Sequence, residues 1–315
     1  MAMGTFAAVS LPAARSNDLA AAADCAKSVI SRLEQELSVY RADSGLSMLN
    51  AASGVSPVAL PKETLELLRR ARRYAEASGG AFDPSVGPVV RAWGFSGGRK
   101  PAAVPAADTL RQMLERVGWS NIVVDESTAF VRKPGMFVDL GGIAKGYAVD
   151  CVLDTLDATS YPDVLVDVGG NVACRGEARR GVPWRIGVRN PFNRDELIGV
   201  LRIPSYAAVA TSGNYERFVE IEGRRYAHII DPRSGRPVEG MASVTVISPD
   251  ATESDALSTA LFVAGLDEAK AVLARLPGNE AMFIPDKQPP IVIVTPGFRR
   301  VFDPLPEWAG RVKGW

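Results

Sequence analysis

Histidine is nearly missing from this chain: His228 is the single one in 315 residues. That excludes zinc centres built on several imidazoles, so a metal here has to be held by oxygen. Cysteine is scarce as well. Cys25, Cys151 and Cys174 are scattered with no CxxC pair, and three thiols cannot all pair within the chain. Net charge is also missing, with Lys+Arg and Asp+Glu both at 36 and no basic run of five or more. This argues against a nucleic-acid partner or a polybasic membrane surface, and an anionic ligand would have to be met locally. The opening "MAMGTFAAVSLP" has no basic n-region, and its apolar run is too short for a signal peptide or a membrane span. As written, the sequence predicts a cytoplasmic chain; an export segment outside it would make the protein periplasmic or an inner-membrane lipoprotein. Neither GxxxxGK[ST] nor GxGxxG occurs, so the common nucleotide fingerprints are excluded too.

The rest is ordinary globular usage, 47% hydrophobic and 23% charged, in a chain long enough for one large domain or two modest ones. Apolar residues at helical spacing from Leu19 to Leu37 predict a helix behind a Ser16 or Asn17 cap. A second helix is expected from Pro61 to the "SGG" at 78–80, with Pro61 in its first turn. "RKPAAVPAAD" (99–108) reads as a surface loop that could divide two lobes, followed by a short helix to about Arg116. From Ile122 the chain turns to short strands such as "NIVVD", "DVLVDVGG" and "LIGVLRI" between Gly, Pro and Asp breaks. Helices over about 143–156 and 252–263 interrupt them. Helices gathered early and strands later predict an α+β fold, a mixed or antiparallel sheet with flanking helices, rather than a doubly wound sheet.

Three segments carry candidate chemistry. In "VDLGGIAKGYAVD" (138–150), a glycine turn enters a helix and Lys145 lies at the helix mouth, where the macrodipole disfavours a cation. Backbone N–H groups of such a turn can cradle an anion, with Lys145 and Asp139 as donor and acceptor; a strand–turn–helix with a solvated lysine is the plainer alternative. In "ATESDALSTAL" (251–261), Asp255 and Thr259 stand four apart on one helix face. Their oxygens, with a carbonyl from a glycine turn, would suit Mg²⁺, although helix capping explains the same residues. In "RRYAHIIDPRSG" (224–235), His228 is the only side chain whose ordinary pKa lies near neutrality, placed in a strand ahead of a turn. "GGAFDPSVGPVVRAWGF" (79–95) is either an irregular packed segment or a wall of an aromatic pocket, and "ATSGNYERF" (210–218) is a strand–turn–strand.

Taken in order, "MGT", "YRADSGLSMLN", "FDPSVGPVVRAWGF", "VDLGGIAKGYAVD", "VDVGGN", "ATSGNYERF", "HIIDPRSG" and "SDALSTALFVAG" resemble the ApbE family of FAD:protein FMN transferases, over residues 3 to about 265. The resemblance implies a single ApbE-like domain over 1–315, with the last fifty residues its generic end. It implies an Mg²⁺-dependent enzyme that takes FAD as substrate and moves its FMN half onto a threonine or serine hydroxyl of a target flavoprotein, releasing AMP. This is covalent flavinylation, a post-translational modification. Alternatives are an FAD pyrophosphatase and a non-catalytic FAD-binding protein. By position, Met3, Tyr40, Ala81, Phe82, Asp83, Asp139, Lys145 and Ile229 would contact FAD, with Tyr40 stacking on an aromatic ring. Asp255, Thr259, Ser258 and the carbonyl of Gly142 would hold the metal, and His228 would be the base. The chain departs from the family pattern at Asn171, where Asp is common after "VDVGG", and at Ser234, where Thr is usual.

Overall fold

The computed structural model describes residues 3–96, 103–203 and 206–315. Residues 99–102 of the expected lobe-dividing loop therefore lie outside the described residues. The centre is an eight-stranded sheet in the order Ala7–Ser10, Val164–Val168, Asn171–Arg175, Ala207–Gly213, Met241–Ser248, Glu280–Pro285, Val292–Val294 and Val312–Gly314. Neighbours run antiparallel except the last pair, which is parallel. A mixed sheet with helices on it makes the fold α+β, as the sequence predicts.

Both faces of this sheet are covered, and the period-two alternation of strand side chains shows it. Along Glu280–Pro285, Ala281 and Phe283 join the core shared with the helices. Met282 and Ile284 point to the other side, into a core with Trp184, Leu201, Phe298 and Phe302. That second side is closed by a three-stranded sheet of Trp184–Asn190, Asn193–Ile203 and Phe302–Pro304. The last fifty residues build part of both sheets. They supply three strands of the main sheet and one of the second.

Some local expectations shift. A 3₁₀ turn over Ala13–Asp18 precedes the first helix, so its cap falls on Asp18 instead of Ser16 or Asn17. Pro61 caps the Lys62–Ala77 helix from outside. The segment 79–95 contains a short helix, Gly87–Ala92. The helix expected over 252–263 runs from Ala251 to Arg275, interrupted at Gly265 (φ 64°, ψ −173°), a conformation open to glycine.

The helices Ala144–Thr155 and Ala251–Arg275 cross on the sheet at very short range. A Cβ on Gly146 would lie 2.0 Å from the Ala251 carbonyl oxygen and 2.8 Å from Asp255 Cβ. Only glycine fits there. The Asp150 carboxylate, one turn on, accepts from the backbone N–H groups of Ala251 and Thr252, each at 2.8 Å. Asp250 takes the N–H of Glu253 at 2.8 Å. Two carboxylates thus satisfy the free donors of a buried helix start and suit its positive dipole end. Gly146→Ala should force the helices apart and cost more than about 2 kcal/mol of stability. Urea unfolding measures this, and a variant as stable as wild type would contradict the crossing.

Candidate functional site

The crossing brings the two candidate motifs together. The glycine turn is held from behind: Val138 N–H donates to Asn50 Oδ1 (2.7 Å), and Asp139 N–H donates to the Pro84 carbonyl (2.7 Å). Asp139 then folds over its own turn, accepting from Gly141 N–H at 2.8 Å. From the helix that follows, Gly146 N–H donates to Asp255 Oδ2 at 2.9 Å. Lys145 Nζ reaches back to the Gly141 carbonyl (3.2 Å) and across to Asp255 Oδ1 (3.4 Å). Its side chain is 30% exposed and that of Asp255 is 6% exposed. Lys145 is therefore not a solvated lysine at a helix mouth; it turns inward to a buried carboxylate.

One turn along, Ser258 Oγ donates to the Asp255 carbonyl (2.9 Å) and lies 2.9 Å from Ser212 Oγ. Ser212 Oγ is also 3.3 Å from Thr259 Oγ1. Around Gly142, the space a Cβ would take is bounded by Phe82 Cε2 at 3.3 Å and Thr259 Oγ1 at 3.5 Å. Phe82, Gly142, Lys145, Asp255, Ser258 and Thr259 thus form one centre, joined by Ser212. The donors are one carboxylate, hydroxyls and main-chain carbonyls, all hard oxygen. That set suits Mg²⁺, which takes few protein ligands and leaves positions for water or phosphate. Among the described residues no group of three or more His, Cys, Asp or Glu could hold a metal, so a carboxylate-rich cage is not offered.

Positive charge surrounds the turn. Burial pushes the Asp139 carboxyl above its ordinary range, while the Gly141 N–H and the charges of Arg91, Lys145 and Arg217 pull it back. Arg91 and Arg217 were not singled out from the sequence. Arg217 lies inside "ATSGNYERF", but nothing local in that motif marks its charge as facing Asp139.

His228 sits just beyond the Arg224–Ala227 strand rather than within it. Its Nδ1 lies 3.2 Å from the Arg217 carbonyl, which can only accept. Nδ1 therefore carries the proton, and Nε2 is left as the basic nitrogen. Burial, with the charges of Arg217 and Lys145, pushes its pKa down to about 4, so the ring is neutral at physiological pH. The Lys145 contribution places His228 within electrostatic reach of the Asp255 centre.

The remaining expected residues are spread around this core. Met3 packs against the main core, and a Cβ on the following Gly4 would lie 4.0 Å from the Arg217 guanidinium. Ala81 and Ile229 are buried. Asp83 is turned into the protein, its carboxylate taking Ser85 N–H (2.8 Å), Ser85 Oγ (2.6 Å) and Trp119 N–H (3.0 Å). Tyr40 is 72% exposed. Among the described residues, no hydrogen bond ties Asp83 or Tyr40 to the Asp255 centre.

Comparison with known proteins fits this geometry. The ApbE family model matches residues 3–283. A Treponema pallidum FAD:protein FMN transferase is 38% identical over 277 residues, covering 82% of this chain and 76% of the relative. A Klebsiella pneumoniae FAD:protein FMN transferase is 38% identical over 283 residues, covering 88% and 85%. Among solved structures, the ApbE protein of Thermotoga maritima superposes with a TM-score of 0.84 at 33% identity, covering 96% of this chain and 97% of that one. The flavin transferase ApbE of Vibrio cholerae gives the same TM-score, 0.84, at 30% identity and the same coverage.

Because the half-buried His228 ring is held neutral, the unfolded chain takes up a proton that the folded one refuses between the ordinary pKa of 6.5 and about 4. The stability this ring contributes is complete above 6.5 and is lost as pH falls towards 4. Asp150, pushed up to about 6 by burial, acts with the opposite sign, but equally in both chains compared. His228→Gln should therefore lose stability less steeply than wild type from neutrality to about pH 5. Denaturant midpoints follow this, and parallel curves would refute the neutral ring.

Proposed function

The chain belongs to the ApbE family, and from that premise we propose that it transfers the FMN half of FAD, with Mg²⁺, onto a threonine or serine hydroxyl of a flavoprotein and releases AMP. The observation that carries this is the meeting of Asp255, Thr259 and Ser258 with the Gly141–Gly142 turn and Lys145, with neutral His228 in electrostatic reach. We also read the chain as one domain over 1–315, supported by a main core that runs from Ala22 to Phe283.

In this reaction the acceptor oxygen attacks the phosphorus of the FMN phosphate. A phosphoester bond to the protein forms, the bridging P–O bond of the diphosphate breaks, and AMP departs with the electron pair. His228 Nε2 takes the hydroxyl proton and passes it to solvent. Lys145 and Arg217 give positive charge to the diphosphate, and the glycine turn positions it. The buried carboxylate of Asp255, the hydroxyls of Thr259 and Ser258 and the Gly142 carbonyl would hold the cation. A bound Mg²⁺ supplies charge neutralisation on the phosphates and alignment for in-line displacement. The remaining work is positioning. Phe82, beside Gly142, adds an apolar wall, and exposed Tyr40 offers a face for an aromatic ring.

Incubation with FAD, Mg²⁺ and an acceptor flavoprotein should leave flavin fluorescence on the acceptor in a denaturing gel. An acceptor that stays dark while FAD is converted to FMN and AMP would make the protein a pyrophosphatase. His228→Ala should slow transfer by roughly 10²–10⁴-fold with little change in FAD affinity. Lys145→Ala should weaken FAD binding about tenfold or more, read by fluorescence titration. Asp255→Asn should remove the Mg²⁺ dependence, and transfer that still rises with Mg²⁺ would dislodge the carboxylate from that role.

A further inference from the structure

A cavity of about 650 Å³ is lined by segments that flank the residues of this centre in the chain. All four residues of the Arg224–Ala227 strand line it, together with Phe192 and with Arg194 of the Asn193–Ile203 strand. Its position is telling. At one end Ala227 is the residue before His228, and Val238, also in the lining, donates its N–H to the Ile229 carbonyl at 2.9 Å. At the other end Asn214 stands two residues beyond Ser212, which contacts Ser258 and Thr259. The groove is thus lined by the chain neighbours of both the base and the oxygen cluster.

Two features define what it would take. The ribbon of Phe218–Ile221 and Arg224–Ala227 pairs with no third strand among the described residues, so a main-chain edge is left open. An open edge beside a groove is where an extended peptide adds as a strand. The charge is also unbalanced. Arg224 is paired with Glu239 (2.6 Å), and Asp286 accepts from Asn214 Nδ2 (3.0 Å). Arg194 and Arg225 have no ion-pair partner among the described residues. They stack instead on Tyr215 and Phe218, at 5.3 and 4.6 Å from the ring centroids. Such guanidinium groups are pre-ordered and free to take a carboxylate. Phe192 and Phe218 remain 38% and 43% exposed in the groove mouth.

We propose that this groove docks the acceptor: an extended segment of the target protein, with an acidic side chain near its reacting hydroxyl, adds to the Arg224–Ala227 edge, meets Arg194 and Arg225, and so delivers the hydroxyl to His228. This rests on the transferase assignment above. The probe is a short synthetic peptide spanning the target hydroxyl of a flavoprotein modified by the Klebsiella pneumoniae relative, with that residue changed to valine so that binding is read without transfer. R194E and R225E should each weaken peptide binding about tenfold or more by fluorescence anisotropy, and should raise KM for the intact acceptor while FAD affinity holds. N-methylation of alternate peptide amides should weaken binding at one parity and spare it at the other, because every second N–H faces the partner strand.

Wild-type protein that does not bind the peptide, unchanged affinity in both arginine variants, or indifference to methylation at both parities would each overturn the proposal. So would a loss of FAD affinity in R194E and R225E with peptide binding intact, which would give the groove to FAD. If the peptide binds as expected but wild type never labels the intact acceptor, the docking surface stands and the transferase assignment falls.

Discussion

The architecture depends on one close crossing, where the backbone of Gly146 meets the carbonyl of Ala251. At that separation the first turns of the Ala251–Arg275 helix are sealed between a second helix and the sheet, with residues 251–258 all buried. A helix start in such a place must have its N–H groups answered, and Asp150 and Asp250 answer them. The same crossing decides the chemistry. Asp255, one turn further on, is buried yet meets a backbone N–H and a lysine from the neighbouring helix. A buried carboxylate with one weak ion pair and one hydrogen bond still has lone pairs to offer, which is the condition a hard cation requires.

Charge is arranged in opposition around that point. The turn carries a carboxyl that burial pushes up, Asp139, amid Arg91, Lys145 and Arg217. These cations have more positive charge than Asp139 alone can neutralise. They also hold His228 neutral, since two of them lower its pKa along with burial. A site that is cationic and contains an unprotonated imidazole has the charge that the proposed anionic ligand and proton transfer would require. Zero net charge over the whole chain hides this, because the imbalance is local.

Much of this was legible in the residues and some was not, for physical reasons. The helices over 19–37, 144–155 and the first half of 251–275 carry long apolar periods or glycine punctuation, and the structure keeps them. The half beyond Gly265 was missed because a glycine in that position reads as a stop. The C-terminal strands Val292–Val294 and Val312–Gly314 have only three residues each, too few for alternation to show. In the centre, the i,i+4 pair Asp255 and Thr259 was visible, as was the glycine turn. That the two meet was implied by the family resemblance and not by local pattern, since it depends on a 2.0 Å restriction between residues more than a hundred apart in sequence. Arg91 and Arg217 escaped notice for the same reason: a charge has meaning only beside what it faces.

The low pKa of His228 is at first sight unsuited to a general base, because a base acts best near the operating pH. The causes of the shift resolve this. Burial is the largest, but the charges of Arg217 and Lys145 add to it, and both face the place assigned to the diphosphate. A bound diphosphate brings negative charge against those same cations, so their push on the imidazole weakens and its proton affinity rises. In the proposed reaction the base would then be weakest with the substrate site empty and would strengthen as the substrate binds. The Nδ1 contact with the Arg217 carbonyl keeps the ring in one tautomer throughout, with Nε2 free. In that reading substrate charge, base strength and ring orientation would be coupled through Arg217, whose carbonyl contacts the imidazole and whose guanidinium acts on both it and Asp139.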